Sequence, residues 1–345
     1  MRVATYNVEW FNNLFDDNGN LLDDGEWSAR YDVTRTDQLS SLGIVFTAMD
    51  ADAVMIIEAP DQNGKRSTVS ALENFANTMG LRANRAIVGF ENHTQQEIAL
   101  LYDPTTLTPR HDPQGEATGK KGSADAPRFD GVFRLDLDVD AAPELINFSK
   151  PPLELAIETA KGNTFRMIGV HAKSKAPHGA STPEEVLRLS IANRRKQLAQ
   201  CIWLRQRVEA HLDAGDPMIV LGDFNDGPGL DEYEELFGHS GVEIVLGLNQ
   251  EDTSKRLFDP HARQAIKGSH AAAPPVTARF YLSHEKRYLS ALLDYVMVSC
   301  DLAAMEPVWR IWHPFDDPEC YRNQDLCQAL LTASDHFPVT MDIDL

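Results

Sequence analysis

The segment Met218–Asp226, with the sequence MIVLGDFND, carries the strongest indication of the fold. Its first part, Met218–Leu221, is a short apolar run, which is typical of a buried β-strand. Gly222 ends the run, and Asp223 and Asn225 follow it directly. Both residue types favour turns, but their carboxylate and amide groups can also bind metal ions or orient a reacting group. A buried strand that ends in such side chains predicts a sheet with a functional site at one edge.

Polar side chains recur at the ends of other apolar strands in the chain. Glu58 follows the apolar run Ala53–Ile57, and His171 follows Met167–Val170. Taken singly, each such residue has a plain structural explanation, as a turn residue, a solvated carboxylate, a core histidine or a helix cap. Strand ends at one edge of a sheet can nevertheless converge on a single cleft. The recurrence therefore predicts one shared site, formed by Asn7, Glu58, His171, Asp223, Asn225, Asp294, Asp335 and His336.

The clearest helix signal begins at Thr182, which is the predicted N-cap. Pro183 takes the first helical position, Glu185 completes a capping box, and the pattern continues to about Leu212. Hydrophobic periodicity predicts the remaining elements. They are helices at 33–49 and 67–79, and strands at 1–8, 53–57, 98–102, 133–139, 153–158, 165–171, 292–299 and 338–343.

The predicted strands are short, and several are neighbours in hairpins. This pattern favours a mixed-sheet sandwich with helices outside over a doubly wound parallel sheet. No linker divides the 345 residues convincingly. A single domain, 1–345, is therefore expected, with loop-rich excursions near 108–130 and 226–290.

The composition narrows the class of function. The chain is 43% hydrophobic and 24% charged, as in a folded protein with a large core. Its formal net charge of −20 counts against a protein that coats nucleic acid, because phosphate contacts dominate that kind of affinity. The charge does not exclude an enzyme whose cleft concentrates metal ions and a few basic side chains.

The four cysteines form no CxxC pair, so a zinc site of the usual spacing is not expected. Cys320 and Cys327 flank a short polar segment and could form a disulfide in an exported protein, or equally remain reduced. The first residues contain no apolar signal region, and no segment approaches the length of a membrane span. The cytoplasm is the default expectation, and a secreted or periplasmic location stays open if a signal peptide was removed.

Six segments together resemble the endonuclease/exonuclease/phosphatase superfamily, the group that contains DNase I, abasic-site endonucleases, sphingomyelinases and inositol-polyphosphate 5-phosphatases. They occur in the family's order and are most similar to those of bacterial members. The segments GDFN and SDHFPV are the most specific. The six are ATYNVEWF (4–11), MIIEAP (55–60), IGVHAKSK (168–175), VLGDFND (220–226), LLDYVMVS (292–299) and SDHFPV (334–339).

The resemblance implies a four-layer α/β/β/α sandwich of two mixed β-sheets flanked by helices, with the site at one edge. It also implies a metal centre. Glu58 would be the principal ligand of Mg²⁺, with Mn²⁺ or Ca²⁺ as alternatives, and Asn7 and Asp335 would complete the binding of one or two ions. The residue before Glu58 is Ile57, where the family more commonly has Gln. Mg²⁺ prefers oxygen ligands, so these residue types are suitable.

The resemblance assigns the remaining residues to catalysis. Asp223 would orient or deprotonate the attacking water, and Asn225 would bind a phosphoryl oxygen. His336 would contact the phosphoryl group with its ring fixed by Asp294, and His171 would stabilise the transition state or help the leaving group. A His beside a carboxylate favours its protonated form, which suits contact with an anion.

Two lysines follow His171 at alternating positions. Lys173 and Lys175 could both point towards the substrate phosphate, or both could be ordinary solvated lysines. The region 226–290 matches no known motif. Its histidines and arginines could line the cleft and set the choice of substrate, or they could equally be surface residues remote from it.

The predicted activity is divalent-metal-dependent hydrolysis of a phosphodiester by water, with nucleic acid as the first substrate class to consider. A phosphomonoesterase, or a phospholipase C-like or sphingomyelinase-like enzyme that acts on a small or lipid phosphate, is the alternative. A non-catalytic binding protein on the same fold is disfavoured, because every catalytic position holds a competent residue. The sequence gives no indication of the oligomeric state.

Overall fold

The computed structural model describes residues 1–92, 95–135, 143–177, 179–229, 238–268, 273–282 and 286–345. Within these residues, two six-stranded sheets dominate the architecture. The strands of the first sheet are β1 (Arg2–Asn7), β2 (Ala53–Ala59), β3 (Arg85–Val88), β4 (Glu97–Tyr102), β15 (Val308–Ile311) and β16 (Val339–Asp342). Their spatial order is β15–β16–β1–β2–β4–β3, and β1 pairs in parallel with β2 while the other pairs are antiparallel.

The second sheet repeats this mixed pairing. Its strands are β5 (Leu107–His111), β8 (Leu153–Thr159), β9 (Thr164–His171), β10 (Met218–Asp223), β11 (Leu257–Phe258) and β14 (Asp294–Ser299), in the order β11–β14–β10–β9–β8–β5. Only β9 and β10 pair in parallel among the described strands of this sheet. Two small hairpins complete the strands: β6 (Phe133–Leu135) with β7 (Glu144–Ile146), and β12 (Ala278–Leu282) with β13 (Arg287–Ala291).

The helices cover the outer faces of the two sheets. They are α1 (Arg35–Met49), α2 (Thr68–Thr78), α3 (Pro183–Ala214), α4 (Gly241–Leu246), α5 (Pro260–Lys267), α6 (Cys300–Ala303), α7 (Pro318–Arg322) and α8 (Gln324–Ala333), with short 3₁₀ helices at Phe11–Leu14 and Thr253–Lys255. Among the described helices, none combines the length and the apolar character needed to cross a membrane.

The alternation of side chains along the strands explains the layers. In the first sheet, Val3 and Met55 face the second sheet and meet Met167 and Leu221 in one buried cluster. The opposite face of the first sheet packs against α1, α2 and α8. The outer face of the second sheet packs against α3, where Trp203 is fully buried. The predicted four-layer α/β/β/α sandwich is confirmed.

The register brings the polar strand ends together. Asn7, at the end of β1, pairs with Ile57 of β2, so Glu58 lies beside it. Asp223, at the end of β10, pairs with His171 on one side and with Asp294 on the other. The carboxyl ends of the parallel pairs therefore meet at one edge of the sandwich, as the sequence predicted.

The long helix α3 begins as its sequence indicates. Thr182 Oγ1 accepts a hydrogen bond from Glu185 N at 3.2 Å, and Pro183 is the first helical residue. The Glu185 carboxylate accepts from the backbone of Ser181 rather than from Thr182, so the reciprocal half of the predicted capping box is displaced by one residue. The helix ends at Ala214, where Gly215 adopts the left-handed conformation of a C-cap.

The structure differs from the sequence prediction between 226 and 290. This region was expected to have few regular elements, but it contains α4, α5, β11 and the β12–β13 hairpin. These elements are short. In the hairpin, the positions that alternate with apolar residues hold Tyr as well as Arg, so the contrast in hydrophobicity between the two faces is weak. The edge strands β3, β5 and β15 and the helices α7 and α8 were not predicted. The predicted strand 133–139 is formed only over Phe133–Leu135, and 136–139 lie outside the described residues.

All four cysteines are free thiols. Cys201 and Cys320 are buried, Cys327 is half-buried and Cys300 is exposed. The apolar sequence around Cys300 predicts a core thiol, but Cys300 is the first residue of α6, directly after the buried strand β14, and its side chain is exposed.

Candidate active site

Asp223 lies at the centre of the predicted site and is held by two asparagines. Asn7 Nδ2 donates to Asp223 Oδ2 at 3.0 Å, and Asn225 donates from its backbone N to Oδ1 at 2.7 Å and from Nδ2 to Oδ2 at 3.1 Å. Burial raises the pKa of Asp223 to about 7, against the lowering effect of His336 and of these hydrogen bonds. A carboxylate with a pKa near neutrality is suited to accept a proton.

The loop that carries these residues is strained and braced. Asn225 has a φ of 50°, which Asn tolerates better than most residues. Gln197 of α3, fully buried, donates to the backbone oxygens of Phe224 at 3.0 Å and Asn225 at 2.9 Å. Arg194 Nη1, also buried, pairs with Asp226 at 2.6 Å. Helix α3 thus fixes the conformation that presents Asp223 and Asn225.

His336 and Asp294 form a buried ion pair. His336 Nδ1 donates to Asp294 Oδ2 at 2.7 Å. Burial alone would lower the pKa of His336, but Asp294, Asp223 and Asp335 raise it well above its usual value. His336 is therefore an imidazolium near neutral pH, and its ring is oriented by Asp294, as the sequence predicted.

His171 is in the opposite electrostatic state. Burial, together with the nearby charges of Lys150, His336 and Lys173, holds the pKa of His171 well below its usual value. Lys150 Nζ lies 3.3 Å from His171 Nδ1, so this nitrogen acts as the acceptor and Nε2 carries the proton. His171 Nε2 lies 3.7 Å from Asp223 Oδ2, which is beyond a direct hydrogen bond. The site therefore contains one neutral and one charged imidazole.

Glu58 is presented by a distorted piece of backbone. A β-bulge interrupts the pairing of β2 with β4 between Ile57 and Ala59, and Glu58 has a φ of 64°. Such a φ is uncommon for a residue other than Gly and is found mainly where the surroundings enforce it. Burial raises the pKa of Glu58, while Lys150 and His336 lower it. The bulge turns the carboxylate towards the site instead of into a sheet face.

Two further acidic residues lie close to Glu58. Burial raises the pKa of Glu9 to about 7, and Asp335 and Glu58 add to this effect while Arg30 opposes it. Arg30 forms an ion pair with Glu9. Ser334 joins this group to β1, because its Oγ donates to Asn7 O at 2.8 Å and accepts from Glu9 N at 3.2 Å. Asp335 follows α8 and does not begin a helix, so it is not a helix cap.

The two predicted phosphate-binding lysines have different surroundings. Lys173 is half-buried, burial lowers its pKa, and the nearby Lys196 feels its charge. Lys175 Nζ donates to Asp226 Oδ1 at 2.7 Å, so its charge is already paired with a buried carboxylate. Lys173 retains the surroundings of a phosphate-binding group, and Lys175 instead supports the loop that holds Asn225.

Lys150, Gln96 and Glu9 were not identified from the sequence. Lys150 follows β7 in a loop without a recognisable motif, and Gln96 precedes β4. Gln96 Nε2 donates to Glu58 Oε2 at 2.5 Å, and Lys150 Nζ donates to Gln96 Oε1 at 2.8 Å. The only sequence signal was Glu9 in the NVEW segment, which is close to the predicted Asn7.

The oxygen atoms available as ligands in the site are suited to a divalent cation. The acceptor oxygens Asn7 Oδ1, Asp335 Oδ1 and Asp294 Oδ1 are buried, and none has a hydrogen-bond partner among the described residues. Unpartnered buried oxygens are costly unless a ligand satisfies them. Asn7 and Asp335 both influence the pKa of Glu58, and these three residues offer oxygen ligands, as Mg²⁺ and Mn²⁺ prefer.

A different trio, Asp223, Asp294 and His336, has ligand atoms within 4.8 Å of one another. The trio includes an imidazole, whose Nδ1 donates to Asp294, whereas Mg²⁺ prefers ligand sets made of oxygens. Within this trio, His336 and Asp294 form the buried ion pair and Asp223 lies beside them.

Residues 4–336 match the sequence model of the Endonuclease/Exonuclease/phosphatase family, which is nearly the whole chain. The chain belongs to this family. The family consists of enzymes that hydrolyse phosphoester bonds, so the class of reaction follows from membership, and the predicted resemblance is confirmed.

Several solved structures are similar in shape to this family member. An AP endonuclease from Archaeoglobus fulgidus has 12% identity and a TM-score of 0.49, with all of both chains covered. A family protein from Bacteroides thetaiotaomicron has 14% identity and a TM-score of 0.48, with 100% of this chain and 98% of that chain covered. The human nocturnin catalytic domain has 14% identity and a TM-score of 0.46, with 100% and 94% covered. No curated protein sequence matches the chain.

Proposed function

We propose that the protein is a divalent-metal-dependent phosphodiesterase that hydrolyses a phosphodiester of nucleic acid with water. The observation that carries the proposal is that one cleft holds two groups with raised pKa values: Asp223, with a pKa of about 7, which suits a proton acceptor, and His336, with a pKa well above its usual value, which suits a cation. Hydrolysis of a phosphodiester needs a proton acceptor for water and a cation for the phosphoryl group. One edge of the sandwich supplies both.

Each residue has a role that its contacts support. Asp223, oriented by Asn7 and Asn225, accepts the proton of the attacking water. The imidazolium of His336, fixed by Asp294, donates to a phosphoryl oxygen and neutralises charge that develops there. Asn225 Nδ2 donates to Ala172 O and Asp223, and in the proposed complex it contributes to the phosphoryl site.

His171 and the lysines are proposed to act on the other side of Asp223. The neutral His171 can donate a hydrogen bond from Nε2–H to the leaving oxygen and so stabilise its developing charge, without transferring the proton. Lys150 and Lys173 place two further positive charges beside it. These charges favour an anionic substrate in a protein whose formal net charge is −20.

The cation is proposed to be Mg²⁺ or Mn²⁺, held by Glu58, Asn7 and Asp335, with Glu9 as an additional nearby carboxylate. When bound, such an ion polarises a phosphoryl oxygen and stabilises developing negative charge. The proposal includes one or two ions of this kind. We also propose that the chain acts as one domain, because the two sheets share a buried core.

A comparison of substrates tests the proposal. Hydrolysis of bis-(p-nitrophenyl) phosphate and of p-nitrophenyl phosphate is measured with Mg²⁺, Mn²⁺, Ca²⁺ and EDTA, alongside a nicking assay on plasmid DNA. Metal-dependent cleavage of the diester together with nicking is expected. A preference for the monoester would assign the protein to the phosphatases, and diester cleavage without nicking would assign it to small or lipid diesters. Activity that persists in EDTA would contradict the metal requirement.

A further inference from the structure

The β12–β13 hairpin has two different faces. Its register pairs Tyr281 with Tyr288 and Arg279 with Ser290, so these residues share one face. The opposite face contains Ala278 and Ala291, which are buried in a small cluster with Leu293 and Phe280. The apolar face therefore attaches the hairpin to the protein, and the Tyr and Arg side chains remain on the outer face.

The hairpin is joined directly to the catalytic segment. Arg279 N donates to Asp335 O at 2.7 Å, and Phe337 N donates to Thr277 O at 2.6 Å, which makes an antiparallel bridge between Ala278 and His336. Thr277 Oγ1 also accepts from the backbone of Asp294 at 3.0 Å. The outer face of the hairpin thus begins one residue from the catalytic ion pair. Tyr281 lies three residues beyond the bridge at Ala278, which is about 10 Å along the strand at ~3.3 Å per residue.

The exposed side chains form an aromatic surface with a cation in it. Tyr281 is 54% exposed, Tyr288 58% and Phe315 45%. The two tyrosine rings lie 5.2 Å apart, and the Arg279 guanidinium lies 4.5 Å from the Tyr288 ring and 5.4 Å from the Phe315 ring. Among the described residues, no carboxylate pairs with this guanidinium. The guanidinium is therefore available to an anionic ligand.

We propose that Arg279, Tyr281, Tyr288 and Phe315 bind the nucleotide next to the scissile phosphate of a single-stranded nucleic acid. The tyrosines stack on the base and Arg279 contacts the neighbouring phosphate. This inference rests on the proposed phosphodiesterase function. Exposed aromatic side chains combined with a cation recognise single strands, because an unpaired base offers both a π-face and an adjacent phosphate. In a protein with a formal net charge of −20, local stacking contacts contribute more to the binding of a nucleic acid than a broad basic surface does.

The same hairpin is poorly suited to insertion into a membrane. Its strands are joined through the sequence SHEKR (283–287), which is polar and charged, whereas a membrane-inserting tip would be apolar. Lys286 and Arg287 are exposed. Phe315 belongs to the aromatic-rich segment RIWHPF (310–315), whose Trp312 and His313 are buried, so a single ring of that segment reaches the surface beside Arg279.

The test compares a nucleic-acid ligand with a small substrate. The double variant Tyr281→Thr/Tyr288→Thr replaces both rings with β-branched side chains, which favour β-strands. Binding of a fluorescein-labelled oligothymidylate is measured by anisotropy in EDTA, and kcat/KM for this oligonucleotide and for bis-(p-nitrophenyl) phosphate is measured with Mg²⁺. The variant is expected to bind the oligonucleotide about 5- to 100-fold more weakly, the usual effect of losing base stacking. The ratio of the two kcat/KM values should fall by a similar factor.

Arg279 is tested separately by its charge. Arg279→Gln is expected to reduce the slope of log Kd against log salt concentration by about 0.7, the value for one lost phosphate contact to a single strand. Tyr321→Leu, which removes a tyrosine of α7 that is 63% exposed, is the matched aromatic control and should change neither affinity nor salt dependence.

The outcomes separate this inference from the proposed function. Oligonucleotide affinity that is unchanged in the double variant would overturn the inference, even if the small diester is hydrolysed normally. Loss of oligonucleotide affinity in the double variant would support it even if the wild-type protein hydrolysed neither substrate, a result that would count only against the phosphodiesterase. Wild-type binding to phosphatidylcholine–phosphatidylserine vesicles, lost in the double variant while the oligonucleotide does not bind, would overturn it in favour of a lipid surface.

Discussion

Gln96 Nε2 donates a hydrogen bond to Glu58 Oε2 at 2.5 Å, and both residues have left-handed backbone conformations, with φ of 74° and 64°. Ile57 stands where the family more commonly has a Gln before the glutamate. Gln96, directly before β4, therefore supplies the side-chain amide that the sequence next to Glu58 lacks. Lys150, bonded to Gln96 Oε1, extends the contact towards His171.

Gln96→Met removes the amide while it keeps the length of the side chain. We expect the apparent affinity for Mg²⁺ to fall about 10- to 100-fold, because residues that orient a metal ligand have effects of this size. The measurement is the dependence of diester hydrolysis on free Mg²⁺. Gln328→Met, at an exposed site on α8, is the control. An unchanged Mg²⁺ dependence would show that Gln96 does not orient the ligand.

Glu58→Gln separates activity from stability. Turnover at limiting Mg²⁺ should fall severely, because an amide is a much weaker ligand than a carboxylate. The urea midpoint should not decrease, since burial already disfavours the charged form of Glu58. Glu158→Gln, an exposed residue of β8, is the control. Near-normal turnover at limiting Mg²⁺ would refute Glu58 as a ligand.

His336→Ala tests the catalytic ion pair. We expect kcat to fall by more than ~10²-fold, the scale for a positioned charge-stabilising group. Asp294→Asn should lower kcat in the same direction, and the double variant should lose less than the product of the two factors, because the residues act as a unit. His239→Ala, at an exposed position, is the control. Multiplicative effects would mean that the pair does not function together.

Lys150→Met tests the charge beside His171. Loss of a charge-assisted hydrogen bond should lower kcat/KM about 10- to 100-fold, and Lys150→Arg should restore part of the activity. Steady-state kinetics on bis-(p-nitrophenyl) phosphate provide the measurement, with Lys161→Met on the exposed β8–β9 turn as the control. Equal activity of the Met and Arg variants would argue against a role for the positive charge.

Arg207→Met is expected to lower the free energy of unfolding by an amount that depends on pH. Arg207 Nη1 donates to both carboxylate oxygens of Glu154, at 2.9 and 3.2 Å, and both side chains are buried. Burial raises the pKa of Glu154 to about 7, although Arg207 lowers it. The folded state therefore binds this proton more tightly than the unfolded state, and the group's contribution to stability falls as pH rises from about 4 towards 7.

Without Arg207, an uncompensated carboxylate is buried at high pH, and the variant should lose about 3–5 kcal/mol at pH ~8. At pH ~5 the protonated Glu154 carries no charge, so the loss should be smaller. Urea denaturation at the two pH values measures both quantities. Arg110→Met, which breaks an exposed pair with Asp112, should cost about 1 kcal/mol or less at either pH. Equal losses of Arg207→Met at both pH values would contradict the buried-charge explanation.

The sequence by itself determined the central strands and the residues at their ends. Buried strands such as Met218–Asp223 are nearly continuous apolar runs, and the polar residue that ends each run is visible without a structure. The same is true of α3, whose cap residues are local in sequence. These signals are local because hydrophobic periodicity and helix capping are patterns of residues within a few positions of one another.

Only the tertiary structure decided how the site is tuned. Lys150 and Gln96 have no local signal, since their importance comes from contacts with residues that are distant in the chain. The β-bulge at Glu58 depends on pairing with β4, and the state of each histidine depends on which charges surround it. The β12–β13 hairpin was missed because its apolar face is small. Its residues Ala278 and Ala291 are buried through contact with Leu293. Electrostatics and pairing over long sequence separations are properties of the folded chain, so the sequence located the site and the fold set its chemistry.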